Sequence, residues 1–171
     1  MLPPMATVAW MVLACLVLQA QVKGEDLQNE ELSPKVRCPK GSTAYGHHCY
    51  AFFKTEKSWM DAHTECQKRR NGHLVSVLTQ SEGYFVSSLI KNSGTAPPLV
   101  WIGLHDNTEG TQPNAGGWEW SNGDVLNYQA WEKGSPTNSG YCGAILSHTG
   151  YEKWQNYDCW IVMPYICKFE S

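Results

Sequence analysis

Trp101-Ile102-Gly103-Leu104 and Trp118-Glu119-Trp120 are the two stretches that decide the fold of this chain. They belong to a longer order of cysteine and tryptophan residues that includes Cys66, Cys142, Trp154, Cys159 and Cys167. From Val100 onward, short runs containing Trp and Val are separated by clusters of Gly, Asn, Asp and Pro. This alternation is typical of short strands joined by long turns, so the C-terminal part of the chain is predicted to be rich in β-structure.

Two helices are predicted ahead of this part. Ser58 is a candidate N-cap, with Asp61 at the third helical position, for a helix that reaches Cys66. A second helix is predicted to open at Ser81-Glu82. Its apolar face is expected to consist of Tyr84, Phe85, Val86, Leu89 and Ile90.

Strands are predicted on either side of the first helix. Residues 50–53 follow Cys49 and are strand-like, and residues 73–78 form a short β-rich run. Further along, Asn122-Gly123 is a hairpin-type turn signal between Trp120 and Val125.

The length and the N-terminal composition bound the domain organisation. A chain of 171 residues suffices for one globular domain with a full core and a short additional segment. Residues 8–20 form an apolar run that is shorter than the roughly 20 residues of a bilayer span but fits the core of a signal peptide. Residues 1–24 are therefore predicted to be a signal peptide, with a buried helix as the alternative.

The charge excludes one class of partner. The chain has 16 acidic and 13 basic side chains, and loss of residues 1–24 would remove one base, Lys23, to leave 12. Because nucleic-acid binding needs a strongly basic surface, we expect no nucleic-acid partner. Residues 25–37 are polar and acidic and cannot offset their own ordering entropy, so they are predicted to be a flexible N-terminal propeptide.

The cysteines indicate an oxidised, extracellular domain. Loss of the signal peptide would remove Cys15 from the seven cysteines and leave an even number, six. Six cysteines allow 15 pairings, and spacing alone does not choose among them. Zinc coordination is the alternative, but the chain contains no Cys-x-x-Cys pair.

The order of these anchors resembles that of the C-type lectin-like domain, over residues 38–171. The resemblance implies an α+β fold with a single domain, in which two helices pack on short antiparallel strands with long loops. It also implies three disulfides, which would join Cys38 to Cys49, Cys66 to Cys167 and Cys142 to Cys159. A glycan-binding module is expected rather than an enzyme, and no catalytic residue is predicted.

Calcium-dependent members of that family use Glu-Pro-Asn or Gln-Pro-Asp together with a later Trp-Asn-Asp. The matching stretches here are Ser135-Pro136-Thr137 and Trp154-Gln155-Asn156. Calcium requires six to eight oxygen ligands, with carboxylates supplying most of the charge. These stretches offer hydroxyls and neutral amides instead, so no calcium, other metal or cofactor is expected. A cis peptide bond before Pro136, as in the family, would shape the loop.

The long loop after Trp-Ile-Gly-Leu resembles the regenerating-protein family, in its type III or pancreatitis-associated branch. It contains Thr111, Gln112, Pro113 and Asn114, where that branch has Glu-Pro-Asn; Met163-Pro164-Tyr165-Ile166-Cys167 adds to the match. The resemblance implies a secreted, calcium-independent lectin that binds bacterial cell-wall glycan through these four residues. Gln112 keeps hydrogen-bonding capacity but loses the charge-assisted component, so weaker or altered glycan binding is expected. A solvated turn without a ligand is the alternative.

The same family implies proteolytic trimming. Lys35-Val36-Arg37-Cys38 fits its trypsin site, and cleavage is expected between Lys35 and Val36. Lys68-Arg69-Arg70 is the single basic run of the sequence, and we expect it to be a solvated helix C-terminus rather than a patch for membrane lipid.

Two further functions stay open on the sequence alone. The domain could act as a signalling factor on a cell-surface receptor, or as a fibril-forming or mineral-surface protein. The sequence predicts no oligomeric state.

The remaining aromatic and histidine residues favour a structural interpretation. Most tryptophans coincide with anchors of the fold and are expected in the core: Trp59, Trp101, Trp118, Trp120, Trp131 and Trp154. Trp160 lies outside these anchors and is a candidate contact if it is exposed. The six histidines lack a tight metal-binding spacing, so zinc binding is not expected.

Overall fold

The computed structural model describes residues 35–108 and 116–171. Within these ranges the chain forms one sheet and two α-helices, which confirms the α+β class. Helix α1 spans Trp59–Cys66 and helix α2 spans Gln80–Lys91; a 3-10 helix, Ser147–Thr149, follows later. The strands are β1 Thr43–Tyr45, β2 His48–Lys57, β3 His73–Leu74, β4 Leu99–Asp106, β5 Trp118–Trp120, β6 Cys142–Leu146, β7 Trp154–Tyr157 and β8 Met163–Phe169. None of the described helices is long and apolar enough to cross a membrane.

The last strand, β8, lies at the centre of the sheet. The order is β1-β2-β8-β4-β6-β7, with β3 pairing on β8 and β5 on β4. β8 is antiparallel to β2, with Cys49 opposite Phe169, and parallel to β4, with Trp101 opposite Tyr165. All residues of β6 and β8 are buried, which explains why these strands are almost continuously apolar in sequence.

Helix α1 forms as its cap predicts. The Ser58 hydroxyl accepts from the backbone N–H of Asp61 at 3.2 Å and donates to the Asp61 carboxylate at 2.7 Å. This reciprocal cap provides an acceptor for a backbone donor that has no partner within the helix. Trp59, Ala62 and Cys66 are buried and attach the helix to the sheet.

Helix α2 begins earlier than predicted, and one of its apolar residues was wrongly assigned. Thr79 is the N-cap and accepts from the N–H of Glu82 at 3.1 Å. The buried face is Glu82, Val86 and Ile90, spaced four residues apart. Tyr84 is two residues from Val86, which is about 200° around a helix, so its ring faces solvent and is 48% exposed.

Two β predictions are also corrected. Asn122-Gly123 does turn the chain, since the N–H of Gly123 donates to Trp120 O at 3.0 Å, but no hairpin strand follows and Val125 is exposed. The side chains of Asn122 and Asp124 instead hydrogen-bond to the Ser76 hydroxyl, at 3.1 and 2.6 Å, so the turn is held against the segment that follows β3. The run at residues 73–78 pairs as a strand over His73–Leu74 alone.

The disulfides join the three pairs that the family resemblance implied. Cys38 is bonded to Cys49, Cys66 to Cys167 and Cys142 to Cys159. The second bond joins residues 101 apart in sequence, for which chain-entropy arguments give about 4–5 kcal/mol of stabilisation.

Four of the anchor tryptophans are buried, as predicted, namely Trp59, Trp101, Trp120 and Trp154. Trp118 and Trp131 are half-buried against the same core.

A buried ion pair connects α2 to β8. Lys168 Nζ lies 2.7 Å from Glu82 Oε1, and both side chains are 6% exposed. Glu82 also accepts from the Tyr50 hydroxyl at 2.5 Å and from the backbone N–H of Leu78 at 2.8 Å. Burial is the main cause that raises the pKa of Tyr50, and the Glu82 carboxylate raises it further, so this hydroxyl stays protonated.

Candidate functional site

The two stretches that match the calcium-lectin tripeptides come together in space. Ser135-Pro136 is a cis peptide bond, as expected, and the loop after it lies against β7. Asn156 of β7 is 3% exposed, and its side-chain oxygen accepts from the backbone N–H of Thr137 at 2.7 Å. Its amide nitrogen lies at donor distance from three carbonyl oxygens: those of Thr137 at 3.0 Å, Ser139 at 2.7 Å and Gly140 at 2.9 Å.

This arrangement does not fit a calcium ion of the family's usual kind. Calcium is coordinated by oxygen atoms, whereas Asn156 directs an N–H₂ group at the three carbonyl oxygens of the loop. The partly positive N–H₂ group therefore faces the carbonyl oxygens where a cation would otherwise bind them. We call the contacts between Asn156 and residues 137–140 the amide lock.

Next to the amide lock is an open cavity of about 620 Å³. Its wall includes Gln155 and Tyr157 of β7, and Asp158 and Trp160 from the turn that follows. The Tyr157 hydroxyl donates to Gln155 Oε1 at 3.2 Å. Burial, followed by the nearby charge of Glu132, raises the pKa of Tyr157, so the hydroxyl remains a hydrogen-bond donor at neutral pH.

Trp160 is the most exposed of the large apolar side chains in the described residues, at 79%. Its backbone is nevertheless held, since its N–H donates to Asp158 Oδ1 at 3.0 Å. The preceding residue, Cys159, is disulfide-bonded to Cys142 and accepts from the N–H of Trp59 at 2.9 Å. The turn thus presents an indole ring to solvent from a fixed backbone.

The predicted carbohydrate-binding residues Thr111, Gln112, Pro113 and Asn114 lie outside the described residues. The two ends of their loop are described: the N–H of Asn107 donates to Gly117 O at 3.0 Å. At the root, the buried Asp106 accepts from both the N–H and the hydroxyl of Thr108, at 2.9 and 2.6 Å. The N–H of Asp106 donates to Tyr141 O at 2.8 Å, and Tyr141 lines the cavity, so the loop starts beside it.

Two histidines stack on Trp59 and a third lies beside one of them, a group that the sequence did not predict. The Trp59 ring stacks with His63, at 5.3 Å between ring centroids, and with His105, at 4.9 Å; the His73 ring lies 5.5 Å from that of His63. Burial, followed by the charges of His73 and His105, lowers the pKa of His63. His63 and His105 are 42 positions apart in sequence, so no local spacing predicted this group.

One group in the described residues has the compactness of a metal site but not its chemistry. Ligand atoms of His105, Cys142 and Cys159 lie within 4.8 Å of one another. The two sulfur atoms are bonded to each other, and zinc takes thiolate ligands rather than a disulfide.

The three side chains of the basic run have different partners. Lys68 pairs with Glu65 at 2.7 Å, and Arg70 pairs with Glu170 at 3.3 Å. The Arg69 guanidinium lies over the Phe53 ring, 4.5 Å from its centroid, and donates to Glu65 O near the end of α1 at 3.2 Å. The run therefore lies at a helix C-terminus, as predicted, with each charge directed to a different partner.

At the predicted cleavage site, Lys35 is exposed and Val36 is half-buried against the core. The bond between them stays a predicted trypsin site. The predicted signal peptide over residues 1–24 and the predicted propeptide as far as Ser33-Pro34 lie outside the described residues.

Comparison with known proteins gives one consistent result. The lectin C-type domain family matches residues 55–169. The chain is 54% identical to regenerating islet-derived protein 3-gamma of Homo sapiens, with all of both chains covered, and 52% identical to lithostathine of Bos taurus, over 94% of this chain and 93% of that one. The crystal structure of human lithostathine superposes with a TM-score of 0.74, at 42% identity, covering 86% of this chain and all of that chain.

Proposed function

We propose, because the chain belongs to the lectin C-type domain family and to its regenerating-protein group, that it is a secreted lectin for bacterial cell-wall glycan. It would bind without calcium and act in antibacterial defence of the gut or pancreas. Residues 1–24 would direct secretion, and residues 25–37 would form a propeptide released by cleavage after Lys35. The six remaining cysteines are in disulfides, so no thiol nucleophile is present among them, in keeping with a binding protein rather than an enzyme.

The amide lock is the observation that carries the calcium-free part of this proposal. The buried Asn156 side chain accepts from one loop N–H, and its two amide hydrogens are shared among three loop carbonyls. Buried polar groups are costly when they lack partners, and these loop groups have the Asn156 amide as a partner without a cation. Saccharide binding would then use other groups than a bound metal.

In this proposal the glycan contacts Thr111, Gln112, Pro113 and Asn114. A single sugar would form few hydrogen bonds to neutral side chains, so its affinity would be weak. A polymer carries many equivalent sugars, and engagement of several along one insoluble chain raises the overall affinity by increasing the effective concentration. Insoluble peptidoglycan is therefore the appropriate probe.

The test is a pull-down of the trypsin-trimmed protein on insoluble peptidoglycan in EDTA. We expect retention in EDTA, stronger retention of Gln112→Glu because a charge-assisted hydrogen bond is restored, and weaker retention of Asn114→Ala. Gln129→Glu and Asn127→Ala are matched controls, because they make the same chemical changes at exposed positions outside this loop.

Loss of retention in all forms, or equal losses in the controls, would contradict the proposal. Saturable binding to cells that is unchanged by Gln112→Glu and Asn114→Ala would instead favour the receptor-binding function. Precipitation of the protein after trimming would favour the fibril-forming function.

A further inference from the structure

The loop between α2 and β4 presents a threonine ahead of two prolines. Residues 93–98 of this loop are Ser-Gly-Thr-Ala-Pro-Pro. Hydroxyl residues that lie within three positions before a proline occur at four places in the chain: Ser33, Thr95, Thr111 and Ser135. Thr95 is the one that precedes two prolines. Ser and Thr residues among prolines are typical acceptors of O-linked sugars in secreted proteins.

The structure distinguishes Thr95 from Ser135, the two of these four that lie within the described residues. Thr95 is exposed, and its hydroxyl lies 2.9 Å from the exposed hydroxyl of Ser93. Ser135 is half-buried, and its backbone N–H donates to Glu132 O at 2.9 Å as the last residue of a tight turn. Thr95 is therefore the more accessible hydroxyl, with an exposed residue on either side.

The loop is held at both ends, so the accessible segment has a defined position. At the end of α2, the N–H of Ser93 donates to Ile90 O at 3.1 Å. On the other side, the Tyr151 hydroxyl donates to Pro97 O at 2.8 Å, and the N–H of Ser147 donates to Pro98 O at 3.0 Å. Residues 94–96 between these attachments are all exposed.

The two prolines fix the backbone that follows Thr95. Each proline ring sets its own φ near about −65° and disfavours the α conformation of the residue before it. Ala96 and Pro97 each precede a proline, so both are restricted to extended backbone. An enzyme that binds its acceptor peptide in an extended form would lose little conformational entropy in ordering this segment.

We propose that Thr95 is a site of O-linked glycosylation, with a UDP-N-acetylgalactosamine donor as the second substrate of the transferase. Thr95 Oγ1 forms a bond to C1 of the sugar while the bond from C1 to the UDP oxygen breaks. UDP leaves with that electron pair, and the hydroxyl proton passes to solvent. The chain has no Asn-x-Ser/Thr sequence, so a hydroxyl is the expected point of attachment for a sugar.

This inference rests on the secretion that is part of the proposed function, because such transferases act in the secretory pathway. It does not depend on glycan recognition by the protein. Thr95 lies before the first residue of β4, Leu99, whereas the long loop follows its last residue, Asp106. A strand of this length spans about 23 Å, so a sugar on Thr95 would lie at the opposite end of β4 from the root of the long loop.

The experiment incubates the folded, trimmed protein with UDP-N-acetylgalactosamine and a polypeptide N-acetylgalactosaminyltransferase. We expect the intact mass to rise by one N-acetylhexosamine unit, which peptide fragmentation should locate on Thr95. Thr95→Ala should abolish the gain, and Thr95→Ser should keep it because the hydroxyl remains. Pro98→Ala should lower the rate of transfer about 2- to 5-fold, since loss of one proline frees the backbone.

Thr55→Ala is the matched control. It removes an exposed threonine hydroxyl from β2, where no proline follows within three positions, and should be glycosylated as the unmodified protein is. Retention on insoluble peptidoglycan is measured before and after transfer. It should stay unchanged, because the sugar would lie far from the predicted glycan-binding residues.

The outcomes separate this site from the proposed function. An unchanged mass, or an equal gain in Thr95→Ala, would overturn the Thr95 site, whatever the retention on peptidoglycan.

Expression of the full chain in animal cells supplies the second arm. Secreted protein with the sugar on Thr95 would support the site, and secreted protein without a sugar would overturn it while secretion stands. A chain that stays inside the cells would overturn secretion, and the reaction with the purified transferase would then decide whether Thr95 is an acceptor.

Discussion

Replacing Asn156 by Asp tests the amide lock most directly. The variant would keep an acceptor for the N–H of Thr137 but lose the N–H₂ group that lies 2.7–3.0 Å from three carbonyl oxygens. A carboxylate oxygen would face those carbonyls instead. At about 1–3 kcal/mol for each buried polar group left without a partner, we expect the free energy of unfolding to fall by about 3–5 kcal/mol. This is a large part of the about 5–15 kcal/mol that stabilises a typical domain.

The assay is urea unfolding in EDTA, with the disulfides intact and tryptophan fluorescence as the probe. Asn127→Asp makes the same chemical change at an exposed position and should leave the unfolding free energy nearly unchanged.

Calcium provides a second arm of the experiment. Asn156→Asp would place a carboxylate among three carbonyl oxygens, which is a ligand set of the kind calcium prefers. With a dissociation constant on the order of 1 mM, about 10 mM calcium would restore about 1.4 kcal/mol to the variant. The unmodified protein should have the same stability in calcium and in EDTA. A variant within about 1 kcal/mol of the unmodified protein in EDTA would refute the amide lock, and stabilisation of the unmodified protein by calcium would refute its calcium-free state.

Three other perturbations follow from the described contacts. Glu82→Ala removes the nearer of the two carboxylates beside the buried Lys168 ammonium, since Asp124 Oδ2 lies at 4.0 Å, and it also removes the acceptor of the Tyr50 hydroxyl and of the Leu78 N–H. It should cost about 3–5 kcal/mol in urea unfolding, and a small loss would show that the pair is not needed. The pKa of His63 is lowered in the folded state, so the unfolded state binds a proton first as the pH falls below about 6.5; the unfolding free energy should decrease from there down to the folded pKa, and His63→Gln should flatten this dependence. Replacing Cys142 and Cys159 by Ser opens a loop closed across 17 positions and should cost about 3 kcal/mol, measured by thermal unfolding; an unchanged midpoint would contradict it.

Local features of the structure were predictable from the sequence. The cap formed by Ser58 and Asp61 joins residues three positions apart, so its hydrogen bonds depend on the helix alone. The same is true of the turn at Gly123, where a positive φ of 83° suits a residue without a side chain. The hairpin expected after that turn failed because Asn122 and Asp124 bond to Ser76, which is 46 and 48 positions away.

The candidate site was predictable in part. Ser135-Pro136-Thr137 and Trp154-Gln155-Asn156 lack the acids of a calcium site, and this was apparent from residue types alone. The position of the Asn156 N–H₂ group within donor distance of three carbonyls was not, because it depends on the loop at residues 137–140 folding back over β7. Exposure of Trp160 likewise depends on how its turn is attached.

The sequence by itself determined the order of anchors, the local caps and turns, the number of cysteines and the absence of carboxylates from the calcium-lectin stretches. These properties depend on residue type and on neighbours within one or two turns of chain. Only the tertiary structure decided that Glu82 pairs with Lys168 across 86 positions, that Asn156 closes the loop at Thr137 across 19, and that Trp160 lies at the rim of a cavity. The physical reason is that such contacts arise from strand pairing and burial over the whole chain, so no local pattern of residues records them.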